Sequence, residues 1–478
     1  MSTIETLDSR FARDSSSDRR RDRVATETPR LVVVLECRRP TALGCRLMLD
    51  GLDEVIVARH TSGSGPTAEP LGSMTRGRRI ERNMRCATVF VGDFQVSRQH
   101  LAIRRVAAGW QLVDLGSKNG TAVNGRRVDT AMLADGDIIE AGGAMLMFLV
   151  GDPGRGEALD RELAPQPGPE PLRTLSLDLE RRIQQITKIA PADVPVLLRG
   201  ETGTGKELMA RAIHDISGRQ GPFVPINCGA LPRDLIESEL FGHRRGAFSG
   251  ANEDREGLIR HAHQGTLFLD EIAELPPDSQ IALLRFLQEG EVRPVGATHS
   301  VKVDVRVVAA THQDVKQRLV DGRFRSDLYG RLSGFELTLP PLRDRREDLG
   351  LLIASILTRV CPDPSQISLN KPVARALFRY PWPQNIRELE NALRAAVGLS
   401  DGGELRLEHL SRALREPEPP PGGPLLTTKD RALREQLIEL LRDSGGNVSA
   451  VARAMQRAPV QIRRWCNRLQ IDVTDFRH

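Results

Sequence analysis

One short stretch constrains this chain more than any other: Gly200-Glu201-Thr202-Gly203-Thr204-Gly205-Lys206-Glu207. It follows an apolar run, Val196-Leu197-Leu198, that reads as a buried strand, and it leads into a helical pattern. The glycines let backbone N–H groups close around phosphate, the start of the following helix adds a positive dipole, and Lys206 adds a point charge. A strand–loop–helix of this kind belongs in a sheet flanked by helices. Residues 172–415, where apolar strands alternate with helical stretches, therefore read as an α/β P-loop domain with a helical end. Glu207 stands where the generic motif has a hydroxyl for Mg²⁺, so magnesium would rely more on the phosphates, on water and on an acidic residue elsewhere. Gly265-Thr266-Leu267-Phe268-Leu269-Asp270-Glu271 offers two at the end of an apolar strand. Asp270 is placed to hold magnesium and Glu271 to polarise an attacking water.

Between these motifs lies Glu239-Leu240-Phe241-Gly242-His243-Arg244-Arg245-Gly246-Ala247-Phe248-Ser249-Gly250-Ala251. It sets an aromatic ring among small residues on a Gly-flanked loop, a costly exposure unless the ring meets a partner. The segment resembles the GAFTGA loop of sigma-54-dependent activators (bacterial enhancer-binding proteins), with Ser249 in place of threonine. The resemblance covers nearly all of residues 173–415 and implies an AAA+ ATPase module whose lid starts near residue 341. In that family Gly246, Ala247, Phe248, Ser249, Gly250 and Ala251 would touch sigma-54 RNA polymerase. Asn227, in Pro225-Ile226-Asn227-Cys228, would switch Glu271 between rest and action. Thr311 and His312 take the sensor I position. Arg325 and Arg331, in Phe324-Arg325-Ser326-Asp327-Leu328-Tyr329-Gly330-Arg331, would reach the γ-phosphate bound by a neighbouring subunit, a task suited to a permanently charged fork. Arg387, in Pro381-Trp382-Pro383-Gln384-Asn385-Ile386-Arg387, would touch nucleotide in cis. The resemblance also implies a homo-oligomeric ring, a hexamer. Arg260, His261, Gln264, Gly330 and Gln384 depart from the family's common choices.

The first part of the chain carries short strand patterns from Leu31-Val32-Val33-Val34-Leu35 to Ala144-Met145-Leu146-Met147-Phe148-Leu149, separated by Gly/Asn/Asp turns. They predict an all-β domain over residues 30–150. Val96-Ser97-Arg98-Gln99-His100, then Asp114-Leu115-Gly116-Ser117-Lys118-Asn119-Gly120-Thr121-Ala122-Val123-Asn124-Gly125, resemble the forkhead-associated family. That family is an eleven-stranded β-sandwich whose loops bind phosphothreonine peptides. Ser97, Arg98, Ser117, Lys118 and Asn119 supply charged and neutral donors for a dianionic phosphate. A further arginine is implied, with Arg59 of Ala58-Arg59 as first candidate and Gly77-Arg78 as its rival. His100 reads as a brace for the loop.

Residues 427–478 show three apolar helical stripes: Leu433, Leu437, Leu440 and Leu441; Val448, Val451, Ala452 and Met455, capped by Asn447; and Ile462, Trp465 and Leu469, with Pro459 in the first turn. A tight link between the last two describes a helix-turn-helix, and Gly446-Asn447-Val448 onward resembles the Fis-type DNA-binding module, with Gln456 in place of its turn glycine. Gln461, Arg463, Arg464, Asn467 and Arg468 would face double-stranded DNA.

Residues 1–29 are rich in Arg, Asp and Ser and read as a disordered tail, whereas 151–171 and the Pro-rich 416–426 read as linkers. The six cysteines form no CxxC pair, no apolar run spans a bilayer and no signal peptide is visible, which together predict a cytoplasmic protein without a membrane partner. The net charge of +5 over 478 residues says little about partners. The combined expectation is a sigma-54-dependent transcription activator driven by ATP and Mg²⁺. Two rivals share its motifs: a phosphopeptide adaptor with a degraded motor, and a AAA+ remodeller of another client. Intact Lys206, Asp270, Glu271, Arg325 and Arg331 speak against the first, and the GAFSGA loop against the second.

Overall fold

The computed structural model describes residues 28–42, 44–60, 74–79, 84–151, 160–162, 172–232, 234–249, 251–416, 428–469, 471 and 476. Nearly all of the charged tail, the Gly/Pro insertion Thr61 to Gly72, and most of both linkers lie outside the described residues.

The first unit is a β-sandwich of β1 (Thr28–Glu36), β2 (Cys45–Met48), β3 (Glu54–Arg59), β4 (Met74–Arg79), β5 (Met84–Val91), β6 (Leu101–Val106), β7 (Gly109–Asp114), β8 (Thr121–Val123), β9 (Arg126–Val128), β10 (Thr130–Met132), β11 (Asp137–Ala141), β12 (Ala144–Gly151) and β13 (Arg161–Glu162). One sheet runs β13-β2-β1-β12-β11-β8-β9 and the other β10-β7-β6-β3-β5-β4. The strand β13 pairs with β2, so part of the stretch expected to be linker belongs to the sandwich. Asn124 and Gly125 both have positive φ, 52° and 81°, and make the two-residue hairpin between β8 and β9 that an Asn-Gly pair favours. Leu31, Val33, Val55, Val57, Leu101, Ile103, Leu146 and Phe148 fill the space between the sheets. The alternate residues of β1 and β12, Val32, Val34, Met145, Met147 and Leu149, are buried too, in a different cluster on the outer face.

The second unit holds β14 (Val196–Arg199), β15 (Phe223–Asn227), the short pair β16 (Gly242–His243) and β17 (Arg255–Glu256), β18 (Thr266–Asp270), the short pair β19 (Glu291–Val292) and β20 (Val301–Lys302), β21 (Arg306–Thr311) and β22 (Phe335–Thr338). Its helices are α1 (Leu177–Ile189), α2 (Lys206–Ser217), α3 (Ile236–Phe241), α4 (Leu258–His261), α5 (Pro277–Glu289), α6 (Val315–Val320) and α7 (Ser326–Leu332). The main sheet is parallel, in the order β15-β18-β21-β14-β22. Both of its faces are covered, which is why its strands are apolar throughout rather than alternating. Leu197, Leu267, Leu269, Val307 and Ala309 pack to one side. Val196, Leu198, Phe268, Val308 and Ala310 pack to the other.

A helical lid follows: α8 (Leu349–Val360), β23 (Ser368–Leu369), α9 (Lys371–Arg379), α10 (Asn385–Leu399), β24 (Glu404–Leu405) and α11 (Arg412–Arg415). The chain ends in α12 (Thr428–Asp443), α13 (Val448–Ala454) and α14 (Pro459–Arg468) around Leu437, Leu441, Val451, Ile462 and Leu469. The Asn447 side chain caps α13 by accepting from the N–H groups of Ser449 and Ala450 at 3.1 and 3.2 Å. Gln456 turns the corner toward α14 with φ of 52°, a conformation that suits glycine. The two positions predict opposite effects on exchange protection of α13 and α14 amides. Asn447→Ala removes the cap and should cost about 1 kcal/mol. Gln456→Gly relieves the left-handed strain and should stabilise by roughly 1 kcal/mol. Changes of the same sign in both variants would contradict this assignment.

Candidate functional site

The strands β14, β18 and β21 all end on one edge of the parallel sheet, where ligands bind in open α/β folds. The loop after β14 needs its glycines. Gly200, Gly203 and Gly205 have φ of 155°, 78° and 98°. A Cβ on Gly203 would also lie 2.2 Å from the carbonyl oxygen of Gln384. Lys206 opens α2, is buried, and donates from Nζ to the carbonyls of Gly200 (3.0 Å) and Glu201 (3.3 Å). Burial holds its ammonium below the usual lysine range, against the pull of Glu271 and Asp270, and Arg387 pushes the same way as burial. Asp270 moves oppositely: burial and the neighbouring Glu271 carboxylate raise it, while Lys206 opposes the rise. These shifts place Lys206, Asp270, Glu271 and Arg387 in one electrostatic unit. Glu207 is exposed on the first turn of α2.

Glu271 sits in the left-handed region, φ 52°, directly after β18. Such strain in a non-glycine residue costs on the order of 1–3 kcal/mol and concentrates at functional positions. Its backbone N–H donates to Asp270 Oδ1 at 3.0 Å. The Glu271 carboxylate is paired with His312 Nδ1 at 2.6 Å. Asn227, given the switching role above, lies opposite Asp270 in the strand register, but its side-chain oxygen accepts from the N–H groups of Gly229 (2.9 Å) and Ala230 (3.2 Å). In this state the partner of Glu271 is therefore His312. Thr311 is buried at the end of β21, where its carbonyl accepts from the Gly200 N–H at 3.3 Å. Cys228, beside these acids, has its thiol pushed up to about 12 by burial, and so is a packing residue rather than a nucleophile.

The lid grips the loop from the other side. Asn385, fully buried, donates from Nδ2 to the Thr202 carbonyl (3.0 Å) and to Glu201 (3.2 Å), and accepts from the Leu342 N–H at 2.8 Å. Arg343 forks onto the Glu201 carboxylate, with one bond of 2.8 Å. Arg345 donates to the Thr204 carbonyl at 2.9 Å and Ile386 N–H to the Gly203 carbonyl at 3.0 Å. Arg387, one residue on, is carried to the loop by this seam, its Cβ 3.1 Å from where a Gly203 Cβ would stand. Sequence reasoning quoted Asn385 only as part of a motif and did not single out Arg343 or Arg345. Their signal, an arginine-rich turn before the lid, was present but had no partner within reach in sequence.

The remaining site residues stand apart from this cluster. Arg331 is exposed on α7 and Arg325 at its N-cap, Arg325 bonded to Asp327 at 3.0 and 2.7 Å. The loop between β16 and β17 is closed by Gly246 N–H to the Ala251 carbonyl (2.9 Å) and Ala251 N–H to the Phe248 carbonyl (3.1 Å). Phe248 at its tip is 37% exposed and meets the His243 ring edge-on, centroids 5.0 Å apart. Ala247 and Ser249 flank it, while Gly250 lies outside the described residues.

In the sandwich, Arg59 N–H donates to the Ser97 carbonyl at 3.0 Å, bringing Arg59 beside exposed Arg98. Arg59 pairs with Val91 at one end of β5, whereas the rival Arg78 pairs with Arg85 near the other end, so only Arg59 joins the loops. The Lys118 N–H donates to Ser97 Oγ (3.1 Å) and Asn119 Nδ2 to the Gln95 carbonyl (2.7 Å). The Ser117 hydroxyl donates to Asp114 at 2.6 Å. His100 is buried, accepts from Ser97 N–H at 3.0 Å and lies 3.3 Å from the Gly120 carbonyl, a brace between the two loops. On α14, Arg463 is exposed and Gln461 half-buried. Arg464, Asn467 and Arg468 are helical, with their side chains outside the described residues.

Fold and site together define a AAA+ P-loop ATPase domain with a lid, joined to a forkhead-associated sandwich. Comparison with known families agrees. Residues 172–338 match the Sigma-54 interaction domain, 343–423 the AAA+ ATPase lid domain and 75–142 the FHA domain. The chain is 39% identical over 311 residues to the transcriptional regulatory protein GlrR of Escherichia coli, spanning 64% of this chain and 70% of that one. It is 49% identical over 235 residues to the hydrogenase transcriptional regulatory protein HoxA of Cupriavidus necator, spanning 48% of this chain and 49% of that one. It is 48% identical over 232 residues to the response regulator PilR of Pseudomonas aeruginosa, spanning 48% and 52%. The chain thus spans about half the length of several of the curated relatives it matches. A crystal structure of NtrX from Brucella abortus in complex with ADP is 30% identical over 63% of this chain and 70% of its own, with a TM-score of 0.49. The chain belongs to the sigma-54-dependent transcriptional activator family, whose AAA+ domains are ATPases. No helix among the described residues is long and apolar enough to cross a membrane.

The seam predicts that Asn385→Ala strands the Leu342 N–H and the Thr202 carbonyl at about 1–3 kcal/mol each. Hydrogen exchange at residues 200–206 should then rise well above that of β18. Equal protection in parent and variant would show that the loop is held without Asn385.

Proposed function

We propose that this chain is an ATP-driven activator of sigma-54 RNA polymerase, held on double-stranded DNA by its last three helices and controlled through phosphothreonine binding at the sandwich loops. The observation that carries it is the pairing, on one domain, of a complete hydrolytic cluster (Lys206, Asp270, Glu271, His312 and Arg387) with a Gly-flanked loop that leaves Phe248 partly in solvent. The cluster has one buried ammonium and two adjacent carboxylates, a donor set suited to the Mg²⁺ that travels with ATP. Asp270 would hold that ion, which supplies charge neutralisation at the phosphates.

The rest of the chemistry belongs to the chain's own groups. The loop N–H groups and the start of α2 bind the phosphates, and Lys206 and Arg387 compensate their charge. Glu271 orients a water for in-line attack once its carboxylate leaves His312, and Asn227, on the neighbouring strand, would receive it. Arg325 and Arg331, exposed at the start of and along α7, would complete the site of the next subunit in a hexameric ring. Hydrolysis at that boundary would move the Phe248 loop, so that its ring leaves His243 and meets sigma-54. Gln461 and Arg463, with Arg464, Asn467 and Arg468 on the same helix, would face the DNA groove and its phosphates. Arg59, Ser97, Arg98, Lys118 and Asn119 would receive the phosphate of a phosphothreonine protein, with Ser117 shaping that loop through Asp114.

Two substitutions separate motor from client. Glu271→Gln should bind ATP yet lower steady-state hydrolysis by about 10²–10⁴-fold, the usual worth of a general base. Phe248→Ala should retain ATPase activity and lose open-complex formation at a sigma-54 promoter in vitro. Unchanged transcription by Phe248→Ala would transfer the motor to a different client. Arg98→Ala should weaken binding of a phosphothreonine peptide by about 1.5–3 kcal/mol, as expected for lost charged hydrogen bonds, with the unphosphorylated peptide unaffected.

A further inference from the structure

The outer face of the sandwich does more than carry the domain. Strands β1 and β12 are apolar on both sides. Val32, Val34, Met145, Met147 and Leu149 share one buried cluster with Leu349, Ile353 and Leu357 of α8 and Phe378 of α9. The approach is close enough to dictate a residue: a Cβ on Gly350 would lie 1.8 Å from the Val34 carbonyl oxygen. Gly350 lies in the first turn of α8, where the close approach of β1 leaves no room for a side chain. Polar bonds fasten the same face. Arg375 of α9 forks onto the Glu140 carboxylate of β11 at 2.7 and 2.7 Å, with Glu140 only 4% exposed. The Leu369 N–H donates to the Cys37 carbonyl at 2.6 Å.

The sandwich grips the other side of the hinge as well. Arg46 of β2, 1% exposed, donates from Nη1 to the Leu175 carbonyl at 2.8 Å and pairs with Glu180 of α1, which also pairs with Arg161. The Leu175 N–H is held in turn by Asp348, at the root of the lid, at 2.6 Å, and Thr174 Oγ1 donates to the same carboxylate at 2.7 Å. Leu175 is therefore a three-way node: its carbonyl belongs to the sandwich, its N–H to the lid, and its chain to the ATPase core.

We propose that the outer face of the sandwich is a brace across the core–lid hinge, which preorganises the nucleotide pocket formed between the P-loop and α10. A rigid sheet fixed to α1 on one side and to α8 and α9 on the other restricts rotation of the lid about residues 339–348. Restricting it lowers the ordering cost of binding. The surface has one partner, the lid of the same chain, and its role is positional.

The test uses the full chain and mant-ADP as probe, read by fluorescence. It rests on the reading of the P-loop as a nucleotide site. No binding by the parent chain would defeat that reading, whereas parent binding with unchanged variants defeats the brace alone. Glu140→Arg and Arg375→Glu should each weaken ADP binding by roughly three- to tenfold, the span of a typical pairwise coupling. The double variant that exchanges the two charges should recover most of the loss. Gly350→Val, which drives a side chain into β1, should weaken binding further, with hydrogen exchange rising along Val32–Val34 and α8 while β14 and β18 stay protected. Unaltered ADP affinity in all variants would leave the face a mere tether. Tighter binding, or no recovery in the charge exchange, would overturn the brace equally.

Discussion

The chemistry of this chain depends on a buried polar seam, where the start of α10 meets the backbone of the P-loop. Asn385 is held in the left-handed region, φ 57°, and has its side chain shared among Thr202, Glu201 and Leu342. Gln384 presses its carbonyl so near Gly203 that no side chain fits there. Arg345 is buried and gives its bond to Thr204. In a region of low dielectric each of these bonds is stronger than in water, and each is correspondingly expensive to leave unmade. The seam fixes the loop that cradles phosphate, and it also fixes where Arg387 stands. Core and lid are thus joined at the point where the nucleotide would report its state.

The pKa shifts follow from that enclosure. Burial works against charge on Lys206 and Asp270 alike, and the attraction between them opposes it in both. The second carboxylate, Glu271, raises Asp270 further, so the pair of acids repels itself unless a cation intervenes. His312 Nδ1 lies 2.6 Å from the Glu271 carboxylate and ties it down. The backbone at Glu271 is left-handed, φ 52°, a strain that concentrates at functional positions.

Much of this was legible in the sequence, because the signals are local. The P-loop spacing, the Asn124-Gly125 hairpin, the Asn447 cap and the turn at Gln456 each need only a few neighbouring residues, and each took the expected shape. The partner of Glu271 is not legible there: His312 lies 41 positions away, and the family resemblance gives it a sensing role and gives Asn227 the switch. The segment 151–171, expected to be linker, contributes β13 because Arg161 and Glu162 complete the edge of a sheet whose partner strand begins at Cys45. Composition marks a loop but cannot say which sheet edge will capture it.

The brace shows the same limit more sharply. The runs Leu31 to Leu35 and Ala144 to Leu149 were read as strands, and strands they are. What their uninterrupted apolarity also said was that neither face meets water. In a stand-alone sandwich one face of each outer strand would be polar, since a two-sheet core buries only the inner side. The identity of the second face's partner, however, rests on contacts such as Glu140 with Arg375, 235 positions apart, which no periodicity encodes. The second apolar face therefore ties the sandwich to this particular lid. Without Val32, Val34 and Met147, α8 would lose the apolar face it is packed against.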